Sequence, residues 1–417
     1  MKTITALLLG AGNRGNAYGK YSLAHPEEIK FVAVAEPDDK KREIFAQKHG
    51  ISKDNCFKNW NEALNRGKIA DALFVCTQDN DHYNPAIKGL ELGYDLMLEK
   101  PIACTAEECN EIYKKSLEVG RTVCVCHVLR HTGFYSQVKE IIESGVLGEQ
   151  TSIVMRENVG NLHYSHSYVR GNWRRAEDSN PMLLAKCCHD LDLLLWFAGK
   201  ECTAVSSFGS QMHFNEQHAP NGAPERCLDG CPHRSECCYY APSVYTPDNW
   251  MSAIMTTDTS KENILKELKT SPYGRCVYHC DNTVVDHQTV SVEFEGGLTA
   301  NLIMSGFTPY TDREIYIMGT KGELRGRFDK LGKIQQITVK DFLTGKLTTY
   351  DIVRGNDDHG GGDTGLMRDF VRLINDREFK NTSDISVSIK SHILGYAAER
   401  ARNENTVVDF NDYCKSL

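Results

Sequence analysis

Two residues in this chain are of the types that move protons, and they stand where a small molecule could meet them. Lys100 lies in Glu99-Lys100-Pro101, directly after the apolar run Asp95–Leu98. An amine there can reach a hydroxyl at the edge of a sheet, and neighbouring charge tunes its proton affinity. His189 lies in Lys186-Cys187-Cys188-His189-Asp190-Leu191-Asp192, at the start of an apolar helical pattern. It could donate or accept a proton across a cleft from Lys100, with Lys186 and Asp190 as polar company.

A third feature holds phosphate. The apolar run Thr3–Leu9 leads into Gly10-Ala11-Gly12-Asn13-Arg14-Gly15, which has the spacing G-x-G-x-x-G. One glycine allows a tight turn, one lets a pyrophosphate approach the backbone, and one allows close packing of helix on strand. The helix that follows turns free N–H groups and the positive end of its dipole to the phosphates. A second strand, Phe31–Ala35, ends in Glu36, which stands 21 residues after Gly15. An acidic residue there binds both ribose hydroxyls of NAD and repels the extra phosphate of NADP.

Other polar groups gather around these. Thr77-Gln78-Asp79-Asn80-Asp81-His82 follows the apolar strand Ala72–Thr77, so Thr77 and His82 belong with Glu99 and Lys100 at the carboxyl edge of the sheet,. Asn172-Trp173-Arg174 precedes the His189 segment. His163, Tyr168 and Arg170, in a polar and aromatic loop spanning Asn158–Asp178, are groups that hydrogen-bond sugars. His359-Gly360-Gly361-Gly362-Asp363 has the same character, with Asp363 as a helix cap,. A cysteine cluster, with Cys227, Cys231 and Cys237 around His233, could wrap a structural zinc ion, with Cys276 or Cys280 as a distant fourth ligand. Its spacing is not the paired C-x-x-C form, and reduced thiols packing an irregular loop, or a local disulfide, are the competing readings.

The elements that must position these groups are legible from periodicity. The first third alternates strand and helix: a helix over Asp38–His49 stopped by Gly50, another over Pro85–Leu92, and one over Thr105–Val119 capped by Thr105. A further strand, Thr122–His127, completes a doubly wound parallel sheet. After it come a helix (Phe134–Ser144), a strand (Thr151–Glu157) and an apolar helix around Leu183–Phe197. Strand-like runs follow at Val290–Phe294, Leu298–Met304, Glu314–Met318 and Ile334–Val339. Helices over Gly365–Asn375 and Ser386–Asn403 close the chain. The pattern predicts an α/β chain of two domains. Residues 1–128 form a Rossmann NAD-binding domain. Residues 129–417 form an α+β substrate and association domain with an open, largely antiparallel sheet and a cysteine-rich insertion at about 214–275.

Size and charge agree. At 417 residues the chain is too long for one ordinary core,. With 41% hydrophobic and 25% charged residues and a net charge of −8, it has neither a basic footprint for nucleic acid nor an apolar run able to span a bilayer,. Met1-Lys2 and the apolar residues after it imitate a signal peptide. Cleavage would remove the strand that carries the fingerprint, so a cytoplasmic protein with reduced cysteines is expected.

Together the fingerprint, Glu36, the Thr77–His82 segment, Glu99-Lys100-Pro101, Trp173-Arg174, His189 and the turn Gly319-Thr320-Lys321-Gly322 resemble the Gfo/Idh/MocA family, the relatives of glucose–fructose oxidoreductase and inositol dehydrogenase. The resemblance covers the whole length. It implies that Lys100 lies beside the nicotinamide and a sugar hydroxyl, that His189 acts in proton transfer, and that Trp173-Arg174 touch the cofactor from the second domain. It also implies that the Lys-Pro bond is often cis. Two positions depart from the family pattern. Ala185 stands where many relatives carry an aspartate, four residues before the histidine, and His131 stands after Arg130 in place of an aromatic residue. The expected activity is NAD-dependent oxidation of a sugar, cyclitol or sugar derivative by a homodimer or homotetramer. The alternatives are a redox-neutral NAD-assisted glycosidase or epimerase, and a non-catalytic dinucleotide sensor or scaffold.

Overall fold

In the computed structural model, which describes residues 2–329, 332–379 and 381–417, the early apolar runs become six parallel strands. They are β1 (Ile4–Leu9), β2 (Ile29–Ala35), β3 (Cys56–Phe57), β4 (Ala72–Val75), β5 (Asp95–Leu98) and β6 (Val123–Val125), in the order β3-β2-β1-β4-β5-β6. Leu7–Leu9, Leu73–Val75 and Leu96–Leu98 are buried. Helices cover both faces of such a sheet, which is why its strands read as unbroken apolar runs rather than alternating ones. Strand order reverses between β1 and β4, and a crevice opens at their carboxyl ends,.

The flanking helices start and stop where their caps dictate. Asp38 accepts from the Lys41 N–H at the head of Asp39–His49, and Gly50 ends that helix at φ +65°. Thr105 accepts from the Glu108 N–H at the head of Ala106–Val119,.

The second sheet has nine strands: β7 (Gln150–Asn158), β8 (Cys202–Ser210), β9 (His287–Phe294), β10 (Thr299–Ser305), β11 (Asp312–Gly319), β12 (Gly322–Asp329), β13 (Ile334–Asp341), β14 (Leu347–Val353) and β15 (Val408–Asp409). Their order is β14-β13-β12-β11-β7-β10-β9-β8-β15, and β7 and β10 run parallel while the other neighbours are antiparallel. The largely antiparallel sheet expected from the sequence is present. β9 alternates cleanly, with Gln288, Val290, Val292 and Phe294 buried. The buried face packs under helices Cys188–Ala198 and Ile385–Glu404. The other face is open, and Phe208 and Ile303 stand exposed on it, each paired in register with Thr289.

Three features differ from the expectation. The segment Asn158–Asp178 is not a loop throughout: it holds a helical turn, Asn161–Tyr164, and a wide turn, Ser165–Arg170, both drawn inward by ring stacking. Tyr164 stacks on Phe214 at 5.6 Å, and His166 on Tyr273 at 4.8 Å. The apolar helix is two pieces, Met182–Ala185 and Cys188–Ala198, broken at Lys186-Cys187. Finally, helix Gly362–Asn375 returns to the first sheet, where Phe370 meets Phe74 edge-on at 5.3 Å. That return carries His359 and Asp363 to the crevice. Among the described residues no helix is long and apolar enough to cross a membrane.

Candidate active site

The three glycines have separate surroundings. Gly10 has φ +92°, and a Cβ there would lie 2.3 Å from the Cys76 carbonyl oxygen. A Cβ on Gly15 would lie 2.2 Å from the Gly10 oxygen, whereas one on Gly12 would meet nothing within 4 Å. Gly10 and Gly15 serve the fold, and Gly12 faces open space. Gly12 is also the N-cap of helix Asn13–Ala24, no side chain caps that helix, and Asn13 is exposed beside it. The first helical bond runs from Asn16 N to Gly12 O, so the preceding N–H groups are left for an anion,. Glu36 is buried at the end of β2, where its two oxygens accept from Ala11 N at 2.8 Å and Asp38 N at 3.0 Å. An open backbone cradle with a carboxylate fixed at its side fits a dinucleotide.

Arg14 turns away from the cradle. Its Nε donates to Glu99 Oε1 at 2.7 Å, and its Nη2 to Tyr18 Oη at 2.8 Å and Asp363 Oδ1 at 2.5 Å. Asp363 in turn lies 3.0 Å from His359 Nδ1. Burial alone would raise the carboxyls of Glu99 and Asp363. The adjacent cations outweigh it and hold both below their ordinary range,. This row of charges ties the fingerprint helix to the residue before Lys100 and to the returning C-terminal helix.

Lys100 follows β5, and the Lys100-Pro101 bond is cis, as the resemblance implied. Its Nζ donates to the Ala185 carbonyl at 3.2 Å, across to the second domain. His82 fastens this turn from beneath: its ring nitrogens lie 2.7 Å from Pro101 O and 3.2 Å from Thr77 O. Thr77 Oγ1 donates to Asp81 O. The polar side-chain atoms of Thr77 and His82 are therefore engaged by the protein backbone.

His189 sits in the first turn of Cys188–Ala198, 6% exposed, and its Nδ1 has no hydrogen-bond partner. Burial, followed by the nearby charge of Lys100, pushes its pKa well below the ordinary imidazole value and keeps the ring neutral,. Its ring centroid is 5.8 Å from that of His127 and 6.2 Å from that of His359.

Lys186 and Asp190 point into a buried quartet with two residues the sequence did not single out. Arg313 Nε lies 2.8 Å from Asp190 Oδ1 and 2.7 Å from Glu157 Oε2, and Lys186 Nζ lies 3.4 Å from Glu157 Oε1. Burial pushes the Asp190 carboxyl up to about 6, with Arg313 opposing the rise and Glu157 adding to it. Glu157 and Arg313 are register partners on β7 and β11, a relation visible only once the strands are paired. Behind His189, Arg130 grips Asp192 with two bonds of 2.6 and 2.7 Å.

The other sequence candidates divide. Trp173 Nε1 lies 3.2 Å from both oxygens of Asp79 and bridges the loop after β4 to the second domain. Arg174 is held by Asp281 instead, at 2.9 Å. Tyr168 is buried against Tyr164 at 5.6 Å, and His163 meets Trp250 edge-on at 5.3 Å. Arg170 does not line a substrate pocket. It is 1% exposed and donates to Arg275 O and Tyr239 O, both at 2.8 Å, because its wide turn aims it into the 227–280 region. His131 is tied to Ser383 Oγ at 2.9 Å and Asp369 at 3.1 Å.

The zinc expectation for Cys227, Cys231 and Cys237 finds no support: among the described residues the one set of three ligand atoms within 4.8 Å of one another is His25, Glu27 and Glu28. The Arg170 guanidinium lies 3.8 Å from Cys227 Sγ, and a fixed cation at that point opposes a second one,.

The fold and cradle define a dinucleotide-binding α/β protein whose second, open-sheet domain closes over the carboxyl edge of the first. Residues 4–127 match the model described as the oxidoreductase family with an NAD-binding Rossmann fold, and residues 135–325 match the C-terminal domain model of the same family. The chain belongs to the Gfo/Idh/MocA oxidoreductase family. It is 23% identical to YteT of Bacillus subtilis over 314 residues, covering 72% of this chain and 71% of that one. It is 24% identical to the scyllo-inositol 2-dehydrogenase (NAD(+)) of Bacillus subtilis over 224 residues, covering 52% and 60% of the two chains. A solved oxidoreductase from Agrobacterium radiobacter, in complex with NAD+, L-tartaric acid and magnesium, superposes with a TM-score of 0.70 at 14% identity over 98% of this chain and 99% of that one.

Proposed function

We propose that this chain is an NAD-dependent oxidoreductase acting on a CH–OH group of a sugar, cyclitol or sugar derivative. The observation that carries the reading is that Lys100 and a neutral, buried His189 stand together at the strand edge served by the open Gly12 cradle. NAD held by the Gly12 cradle and Glu36 would supply the hydride acceptor for the substrate carbon. Lys100 holds and polarises the hydroxyl oxygen, and the neutral His189 ring receives its proton,. The Lys186–Glu157–Arg313–Asp190 quartet fixes the helix start that aims His189. Glu36 selects NAD over NADP by accepting ribose hydroxyls and repelling a 2′-phosphate.

The surrounding features suit this reading. The exposed sheet face carrying Phe208 and Ile303 suits a homodimer or homotetramer,. Sixteen unpaired cysteines suit a reducing, cytoplasmic setting,.

The test is a screen of polyols, cyclitols and glycosides by NADH absorbance, on wild type and K100M. The expected result is NADH formation with at least one polyol, lost in K100M while NAD binding survives. Substrate turnover without net NADH would replace this reading with the redox-neutral glycosidase or epimerase. An absence of turnover on every compound would favour the sensor.

A further inference from the structure

We infer that His359, held by Asp363, is the proton exit of this site, the group through which His189 exchanges protons with solvent. The inference rests on the proposed role of His189. In the oxidation proposed above, each CH–OH group would give up a hydride from its carbon and a proton from its hydroxyl, the proton going to the His189–Lys100 pair. That proton must leave before the next turnover.

His189 is 6% exposed, and the rings behind it lead inward: His127 is 1% exposed and His392 is fully buried. On the other side lies His359, whose side chain is 31% exposed and whose ring centroid is 6.2 Å from that of His189. His359 has the geometry of a relay. Its Nδ1 lies 3.0 Å from Asp363 Oδ2 and 3.4 Å from Arg14 Nη1; with the closer carboxylate taking Nδ1–H, the Nε2 lone pair is left for a proton,. Asp363 is itself fixed by Arg14.

The loop is tied down by the protein as well. Asp357 Oδ1 accepts from His359 N at 3.0 Å and Gly361 N at 2.7 Å, and a Cβ on Gly362 would lie 2.3 Å from the Val128 oxygen. The charged groups facing His359 are Asp363 on its own segment, Arg14 on the fingerprint helix and Glu99 at the end of β5, with neutral His189 opposite. Burial holds the His359 pKa below the ordinary imidazole value, with Asp363 opposing the fall, so the ring rests neutral and carries a proton only in passing,.

The step balances. The proton on His189 passes across one bridging water to His359 Nε2, the imidazolium is held by Asp363, and the same proton leaves Nε2 for bulk water, so both rings return to neutral.

The experiment is histidine ¹⁵N NMR on the full chain with and without NAD, comparing wild type, H359Q and D363N. The expected result is an Nδ1–H tautomer for His359 whose titration midpoint falls by about one unit in D363N. Exchange of the His189 ring proton with solvent slows about tenfold or more in H359Q and is restored by added imidazole. An Nε2–H tautomer, a midpoint unmoved in D363N, or His189 exchange unchanged in H359Q would each overturn the inference. So would a slowing that imidazole does not restore. If H359Q fails to fold, D363N keeps the ring and decides the matter by tautomer and midpoint. NAD binding, read separately from protein fluorescence, reports on the proposed function, so the two failures are distinguishable.

Discussion

Lys100 Nζ donates to the backbone carbonyl of Ala185 at 3.2 Å. That oxygen is available because the helical run breaks at Lys186-Cys187; in an unbroken helix it would accept from the N–H of residue 189,. The resemblance implied an aspartate at this position. Here a neutral backbone oxygen meets the lysine, and the departure noted in the sequence is answered by a helix break rather than by another side chain. K100M is expected to lower kcat by roughly 10²–10⁴-fold with the NAD dissociation constant little changed. Steady-state kinetics on the substrate found by the screen, with a separate binding titration, checks this.

The fingerprint glycines should separate fold from ligand. Gly10→Ala puts a Cβ against the Cys76 carbonyl at a left-handed backbone position, and is expected to cost about 1–3 kcal/mol of stability,. Gly12→Ala meets no protein atom and should leave the melting temperature within about 2 °C,. It should weaken NAD by about tenfold or more, because its methyl enters the space left for the pyrophosphate. Thermal melts and NAD titration of the two variants give the answer.

Arg170 offers a test of the correction made to the sequence reading. Its buried guanidinium satisfies two backbone carbonyls, so Arg170→Met should destabilise the protein by roughly 2–4 kcal/mol,. NAD affinity in the folded fraction should stay unchanged. A stable R170M with weakened substrate binding would return Arg170 to the pocket.

Stability should fall with acid well before carboxylates titrate. His49, His127 and His166 are pushed down to about 4 and His392 to about 3, in each case chiefly by burial, and His189 is also lowered. Below the unfolded value of about 6.5 the unfolded chain binds protons that the folded chain refuses, so stability is lost as pH falls from there toward 4. Asp190, raised to about 6, works the other way: its folded form binds the extra proton between about 4 and 6 and gains stability as pH falls,. Several histidines outweigh one carboxyl. Melting temperature should therefore drop steadily from pH 6.5 to 4.5, and a flat or rising profile would contradict the burial assigned to these rings.

Most of the first sheet was legible in the sequence, since β1, β4 and β5 are apolar runs and Asp38, Thr105 and Gly50 punctuate the helices, while the two-residue edge strand β3 is too short to leave a pattern. The second sheet was legible only in part. β12 carries two glycines and four charged residues, and β14 is an edge strand exposed at every second position, so neither shows the apolar alternation that marked β9. Lys100, His189, Gly12 and Glu36 could be found because motif and position coincide. Glu157, Arg313 and Asp79 could not, because each owes its place to a partner more than ninety residues away in the chain. Arg170 misled because a charged residue in a polar, aromatic segment reads as surface, and ring stacking had drawn that segment inward.

The central claim is tested most directly by titrating NAD and NADP against the purified protein while following protein fluorescence. Saturable NAD binding, with NADP weaker by about tenfold or more, is the predicted result. Binding of neither dinucleotide, or a preference for NADP, would contradict the assignment of Gly12 and Glu36 and with it the proposed oxidoreductase.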